Sequence, residues 1–173
     1  MARSYKSSDL QRLFVWLGLS ALVLIIDQFT KVLAKNNLFE GSPKVVTEFL
    51  NWTLVYNPGA AFSFLAQAGG WQRWLLTGFG IAAAAIMVWL MRKHAHQTVF
   101  ALALSLLLAG AIGNVIDRLT YGAVIDFIDV HYLNWHWPAF NIAAIKASPM
   151  TPAPMIPMAM PSTSVGRVVR VPR

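Results

Sequence analysis

The stretch QTVFALALSLLLAGAIGNVI, residues 97–116, runs for twenty residues without a charge. At about 1.5 Å per residue it reaches roughly 30 Å, the thickness of a bilayer's hydrocarbon core. Lipid offers backbone groups no water, so such a stretch reads as a helix. Two relatives of this pattern lie upstream. Trp74 to Met91 is uncharged over 18 residues, and Leu13 to Ile26 is uncharged before the pattern resumes through Val32 and Leu33. Three spans are predicted, near 13–34, 72–91 and 97–116. Leu13–Ile26 has the basic start of a signal peptide, but no small-x-small cleavage site follows cleanly, so it is expected to stay as an uncleaved first span.

The whole chain agrees. Of its 173 residues, 57% are hydrophobic and 12% charged, against about 25% charged in an average soluble domain. So few charges cannot coat a soluble globule, which argues against a cytosolic enzyme, a disordered regulator and a nucleic-acid reader. The net charge of +7 is distributed as topology signals, not as a nucleic-acid face. Arg3, Lys6 and Arg12 put the N-terminus inside, and Arg92 and Lys93 put the second connection inside. The stretch 35–71 and the end of the third span are then outside. With no cysteine, disulfides, thiolate metal sites and cysteine nucleophiles are excluded.

This topology gathers polar residues at one level. Asp27 lies about two turns from the outer end of span one. Asn114, Asp117 and Arg118 lie at the outer end of span three, and Asp126 and Asp129 follow. Intramembrane charges are functional candidates by default, while Asp27 and Lys31 also suit a simple i,i+4 ion pair that snorkels. Outside the membrane, the alternation of Trp52, Leu54 and Tyr56 predicts a strand. Asn57-Pro58-Gly59 predicts a turn, and Ala60–Leu65 is read as a returning strand. In GAVIDFIDV, residues 122–130, Asp126 sits among β-branched and aromatic neighbours. It is either a desolvated acid with a raised pKa or the cap of an amphipathic segment. His131 and His136 beside Trp135 and Trp137 are expected to anchor the interface, not to hold a metal.

Five motifs in order resemble the lipoprotein signal peptidases, the type II signal peptidases of bacteria. They are Asp27-Gln28-x-x-Lys31; Tyr56-Asn57-x-Gly59-Ala60-Ala61-Phe62-Ser63; Gly110-x-x-Gly113-Asn114-x-x-Asp117-Arg118; Val124-x-Asp126-Phe127-Ile128; and Pro138-x-Phe140-Asn141-x-Ala143. The resemblance implies an all-α, multi-pass membrane bundle, four-spanning in the family and three-spanning here, with a small extracytoplasmic β-cradle. It implies an aspartic endopeptidase of the bacterial inner membrane, with its site at the outer face. Such an enzyme removes signal peptides from prolipoproteins by cutting before a diacylglyceryl-modified cysteine, with no metal or cofactor. Asp126 matches a catalytic residue. Asp27, Asn57, Gly59, Asn114, Arg118 and Asn141 match residues that bind substrate or support the site. Membrane lipids and lipidated precursors are the expected partners, and nucleic acid is not.

The chain departs from the family at one point. Asn141-Ile142-Ala143 is followed by Ala144, where the family has the second aspartate of the dyad and then a fourth span. Prolines 149, 152, 154, 157 and 161 follow. Each costs roughly 3 kcal/mol inside a helix, so no spanning helix is expected there. Residues 1–143 therefore read as the membrane domain. Residues 144–173 read as a Pro/Met-rich tail, either disordered or a shifted reading frame, and the abrupt break favours the frame shift. The alternative to a peptidase is a catalytically impaired binder of lipidated precursors.

Overall fold

The computed structural model describes residues 2–59, 69–133 and 135–142. The expected returning strand at 60–65, Ala144 and the whole tail lie outside the described residues. Three long helices carry the chain: α1 (Ala2–Asn37), α2 (Trp71–His94) and α3 (Thr98–Tyr121). Each holds a window long and apolar enough to cross a membrane. Their exposed large residues, such as Phe14, Ile25, Phe79 and Trp89, are apolar, as a lipid-facing surface requires.

The predicted spans are all present, and the helices exceed them. Helix α3 continues past residue 116 through Asp117 and Arg118, both buried. Counting uncharged residues ended the span too early because these charges have partners inside the protein. Helix α3 is the central one. It packs against both α1 and α2, which touch each other little. Leu13, Met91, Ala95, Leu104 and Leu108 form the apolar core at the end of the bundle that holds the short α2–α3 turn. There the Trp16 indole N–H donates to the Ala95 carbonyl at 3.0 Å.

The opposite end carries an antiparallel sheet of four strands in the order β1 (Lys44–Thr47), β2 (Leu50–Asn57), β3 (Val124–Tyr132), β4 (Trp135–His136). The strand predicted from Trp52, Leu54 and Tyr56 is β2. Its alternation is broken by a register shift between Trp52 and Val55, so Asn51 and Leu54 are buried while Trp52 faces out. Strand β3 shows no alternation over its first half. Val124 to Phe127 are buried in succession, so neither face of that stretch is open to solvent. Asp126 therefore sits inside a strand and does not cap an amphipathic segment. Ala34, Leu38, Leu54, Ile125 and Phe127 form a second core that joins the sheet to the end of α1. After β4 the chain folds back, and Phe140 pairs with Ile128. That return delivers Asn141 to the sheet's buried side.

Gly122 ends α3 in the left-handed region at φ 81°, with its N–H bonded to the Arg118 carbonyl. This conformation is cheap only for glycine. It reverses the chain so that β3 begins two residues after the helix.

Candidate active site

Asp126 is the centre of the candidate site. It is 5% exposed and faces amides from two distant segments. The Asn57 side-chain amide, from the end of β2, donates to Oδ2 at 3.2 Å. The Asn141 amide donates to Oδ1 at 2.8 Å and reaches the Ile125 carbonyl at 3.2 Å. Burial pushes the Asp126 carboxyl from 3.8 up to about 6, against the opposing pull of the Asn57 and Asn141 hydrogen bonds and the Lys31 charge. A carboxyl in that range exchanges a proton near neutral pH, as general acid–base work requires.

The remaining candidates surround this pair of amides. The Gly59 N–H donates to Asn57 Oδ1 at 3.0 Å, closing the predicted turn. Arg118 Nη2 donates to the Gly59 carbonyl at 3.0 Å, tying the turn to α3. Asn114 accepts from Lys31 at 3.4 Å. Asp27 lies deeper, in a fully buried cluster. Lys31 Nζ is 2.7 Å from Asp27 Oδ2 and 2.7 Å from Asp117 Oδ2. The i,i+4 pair thus exists, but buried and shared with a second carboxylate; it does not snorkel.

Lys31, Asp117 and Gln28 belong to this network; sequence reasoning counted Asp117 among the intramembrane candidates and paired Lys31 with Asp27, but gave none of the three a role beside Asp126. The Gln28 amide donates to Asp27, Asp117 and the Gly113 carbonyl. The available signal was spacing: Asp27 and Lys31, and Gly113 and Asp117, each stand four apart on one helix face.

Asp129 takes no part. It is bonded to the Asn51 amide at 2.9 Å and the His136 imidazole at 3.0 Å. On a strand, three residues put side chains on opposite faces, which separates it from Asp126. His131 stacks on His136 with ring centres 5.0 Å apart.

Three membrane-length helices with a sheet closing one end define a multi-pass helical membrane protein, and solved structures of that kind match. Two, each titled a bacterial membrane enzyme structure solved by the in meso method, share 34% identity over 75% of this chain. Their TM-scores are 0.66 and 0.63, and 77% and 82% of their own chains are covered. The profile of the family described as signal peptidase (SPase) II matches residues 19–146. The lipoprotein signal peptidase of Burkholderia mallei is 51% identical over 143 residues, covering 83% of this chain and 86% of the relative. That of Polynucleobacter necessarius is 54% identical over 128 residues, covering 74% and 78%. The chain belongs to the signal peptidase II family, a family of peptidases.

Proposed function

We propose that this chain is the frame of a membrane aspartic endopeptidase that acts on prolipoproteins before their diacylglyceryl-modified cysteine. The observation that carries the reading is Asp126, buried, held by two amides and titrating near neutrality. Above its midpoint Asp126 accepts a proton from water, and the hydroxyl attacks the scissile carbonyl. A second carboxylic acid would polarise that carbonyl and protonate the leaving amine. Two such groups share one proton and titrate as a unit. Position 144 would supply the second and carries Ala. Turnover by this chain is therefore weak or absent, and binding of lipidated precursors persists. That substitution is also what favours the binder reading.

The site sits at the end of the bundle opposite Arg12, Arg92 and Lys93. The positive-inside rule supports reading this end as the outer face, where a lipid-anchored substrate presents its cleavage site.

The test is cleavage of a diacylglyceryl-modified prolipoprotein by the full chain in vesicles. The unaltered chain is expected to bind and barely cut. Ala144→Asp is expected to raise cleavage by about 10²-fold or more, and adding Asp126→Asn to abolish the gain. Robust cleavage by the unaltered chain that survives Asp126→Asn refutes the aspartic reading. Tight binding with no gain from Ala144→Asp leaves the binder.

A further inference from the structure

We infer that Lys31 is a positioning residue for the reaction at Asp126, acting through Asp117 and the backbone amide of Ile125. The inference rests on the reading of Asp126 as the reacting carboxylate.

Lys31 is 1% exposed and both carboxylates beside it are 0% exposed. An ammonium has three donors and no acceptor. Here three oxygens surround it: Asp27 Oδ2 and Asp117 Oδ2 at 2.7 Å and Asn114 Oδ1 at 3.4 Å. The Asp117 oxygen that meets Lys31 also accepts the Ile125 N–H at 3.3 Å. Ile125 precedes Asp126, and its carbonyl accepts the same Asn141 amide that grips Asp126. The chain of contacts is unbroken from Lys31 to the carboxylate. Lys31 fixes Asp117, Asp117 fixes the strand one residue before Asp126, and the strand sets where the Asn141 amide meets the carboxylate.

A purely structural role fits poorly with this chemistry. Burying two carboxylates and one ammonium is costly, and apolar residues of similar volume stabilise at least as well. The cluster instead projects charge. Lys31 favours the ionised form of Asp126, and Asp117 opposes it. Facing Asp126 are Lys31 from α1 and Asp117 and Arg118 from α3. Strand β2 and the segment after β4 offer the uncharged amides of Asn57 and Asn141. Asp27 neutralises part of the lysine's charge from one helical turn away. Lys31 and Asp117 thus pull Asp126 in opposite directions while holding it in one place.

The test reads Asp126 directly. The full chain in detergent micelles is labelled with ¹³C at aspartate carboxyls, and the Asp126 signal is identified by its loss in Asp126→Asn. Lys31→Met combined with Asp27→Asn keeps the cluster's net charge at minus one while removing the cation. Its midpoint is expected to rise above about 6. Asp117→Asn keeps an oxygen for the Ile125 amide while removing an anion, and its midpoint is expected to fall. Opposite shifts support the inference, because mere loosening of the fold moves both midpoints the same way. Unmoved midpoints, or shifts of one sign, overturn it. If the lysine variant does not fold, Asp117→Asn decides alone: a midpoint unmoved or raised overturns the inference. The midpoint needs no turnover. Opposite shifts with cleavage by the Ala144→Asp chain that survives Asp126→Asn would overturn the catalytic reading of Asp126 while upholding Lys31's hold on it.

Discussion

Replacing Gly113 with alanine should destabilise the protein, against the usual preference of helices. Gly113 lies inside α3, where Ala is favoured over Gly by about 1 kcal/mol. A Cβ there collides with the Asp27 carboxylate oxygen Oδ2, and it lies 3.4 Å from the Asp27 Cγ and 3.5 Å from Leu24. A flexible side chain would step aside. Asp27 cannot, because the same oxygen is ion-paired to Lys31 at 2.7 Å and bonded to Gln28 at 3.2 Å. Overpacking costs about 1–3 kcal/mol. Losing a hydrogen bond to a charged group costs about 1.5–3 kcal/mol more. After subtracting the helix-propensity gain, the net loss is about 3 kcal/mol. Gly18 in α1 is the control, because a Cβ there meets nothing within 4 Å; Gly18→Ala should be neutral or stabilising by up to about 1 kcal/mol. Reversible unfolding of the detergent-solubilised protein measures both. If Gly113→Ala matches Gly18→Ala, the close approach of α1 and α3 at Asp27 is not the constraint argued here.

Asp126→Asn should stabilise the protein at neutral pH. The folded-state pKa of about 6 lies above the ordinary 3.8, so the folded state holds its proton longer than the unfolded chain. Stability falls as pH rises between those values and stays low above about 6, a cost of about 3 kcal/mol at 1.4 kcal/mol per pH unit. The advantage of the Asn variant should grow from pH 4 to 6 and then level off; a constant difference across that range contradicts the assignment. Asn141→Ala removes hydrogen bonds to Asp126 and Ile125 and should cost about 1.5–3 kcal/mol, measured in the same unfolding assay. It should also move the Asp126 midpoint upward, because one bond that favours the ionised form is gone. Tryptic mass spectrometry of the protein from its native membrane tests the tail. A frame shift predicts a peptide containing Asn-Ile-Ala-Asp that leads into an apolar segment, and recovery of Ala147–Arg167 shows the tail to be genuine.

The three spans were legible because lipid imposes a simple rule, a run of apolar residues of bilayer length. Their ends were less so. Asp117 and Arg118 extend α3 because Lys31 and the Gly59 carbonyl receive their charges, and no count of local charges anticipates a partner about sixty or ninety residues away. Strand β2 showed through its alternation, but the register shift at Trp52 moved burial to Asn51 and Leu54. Strand β3 was hidden, since burial on both faces erases the period of two. Strand β1 has four exposed residues and left no pattern. The motifs named the residues around Asp126, yet Asn57 and Asn141 stand 69 and 15 residues from it. Their convergence comes from strand pairing and the return after β4, neither of which has a local signature.

The shared lysine also ties the pairing of two helices to the matching of a buried charge. Helix α1 carries its own counterion pair, Asp27 with Lys31, and so enters a bilayer with its charges matched. Helix α3 brings Asp117 beside Arg118 near its outer end, and Asp117 has no cation three or four residues away on that helix to pair with. Its close ion-pair partner is Lys31 of α1, at 2.7 Å. A chain in which α1 is displaced from α3 loses the Lys31 partner of Asp117, a mark by which a misassembled copy differs from a finished one.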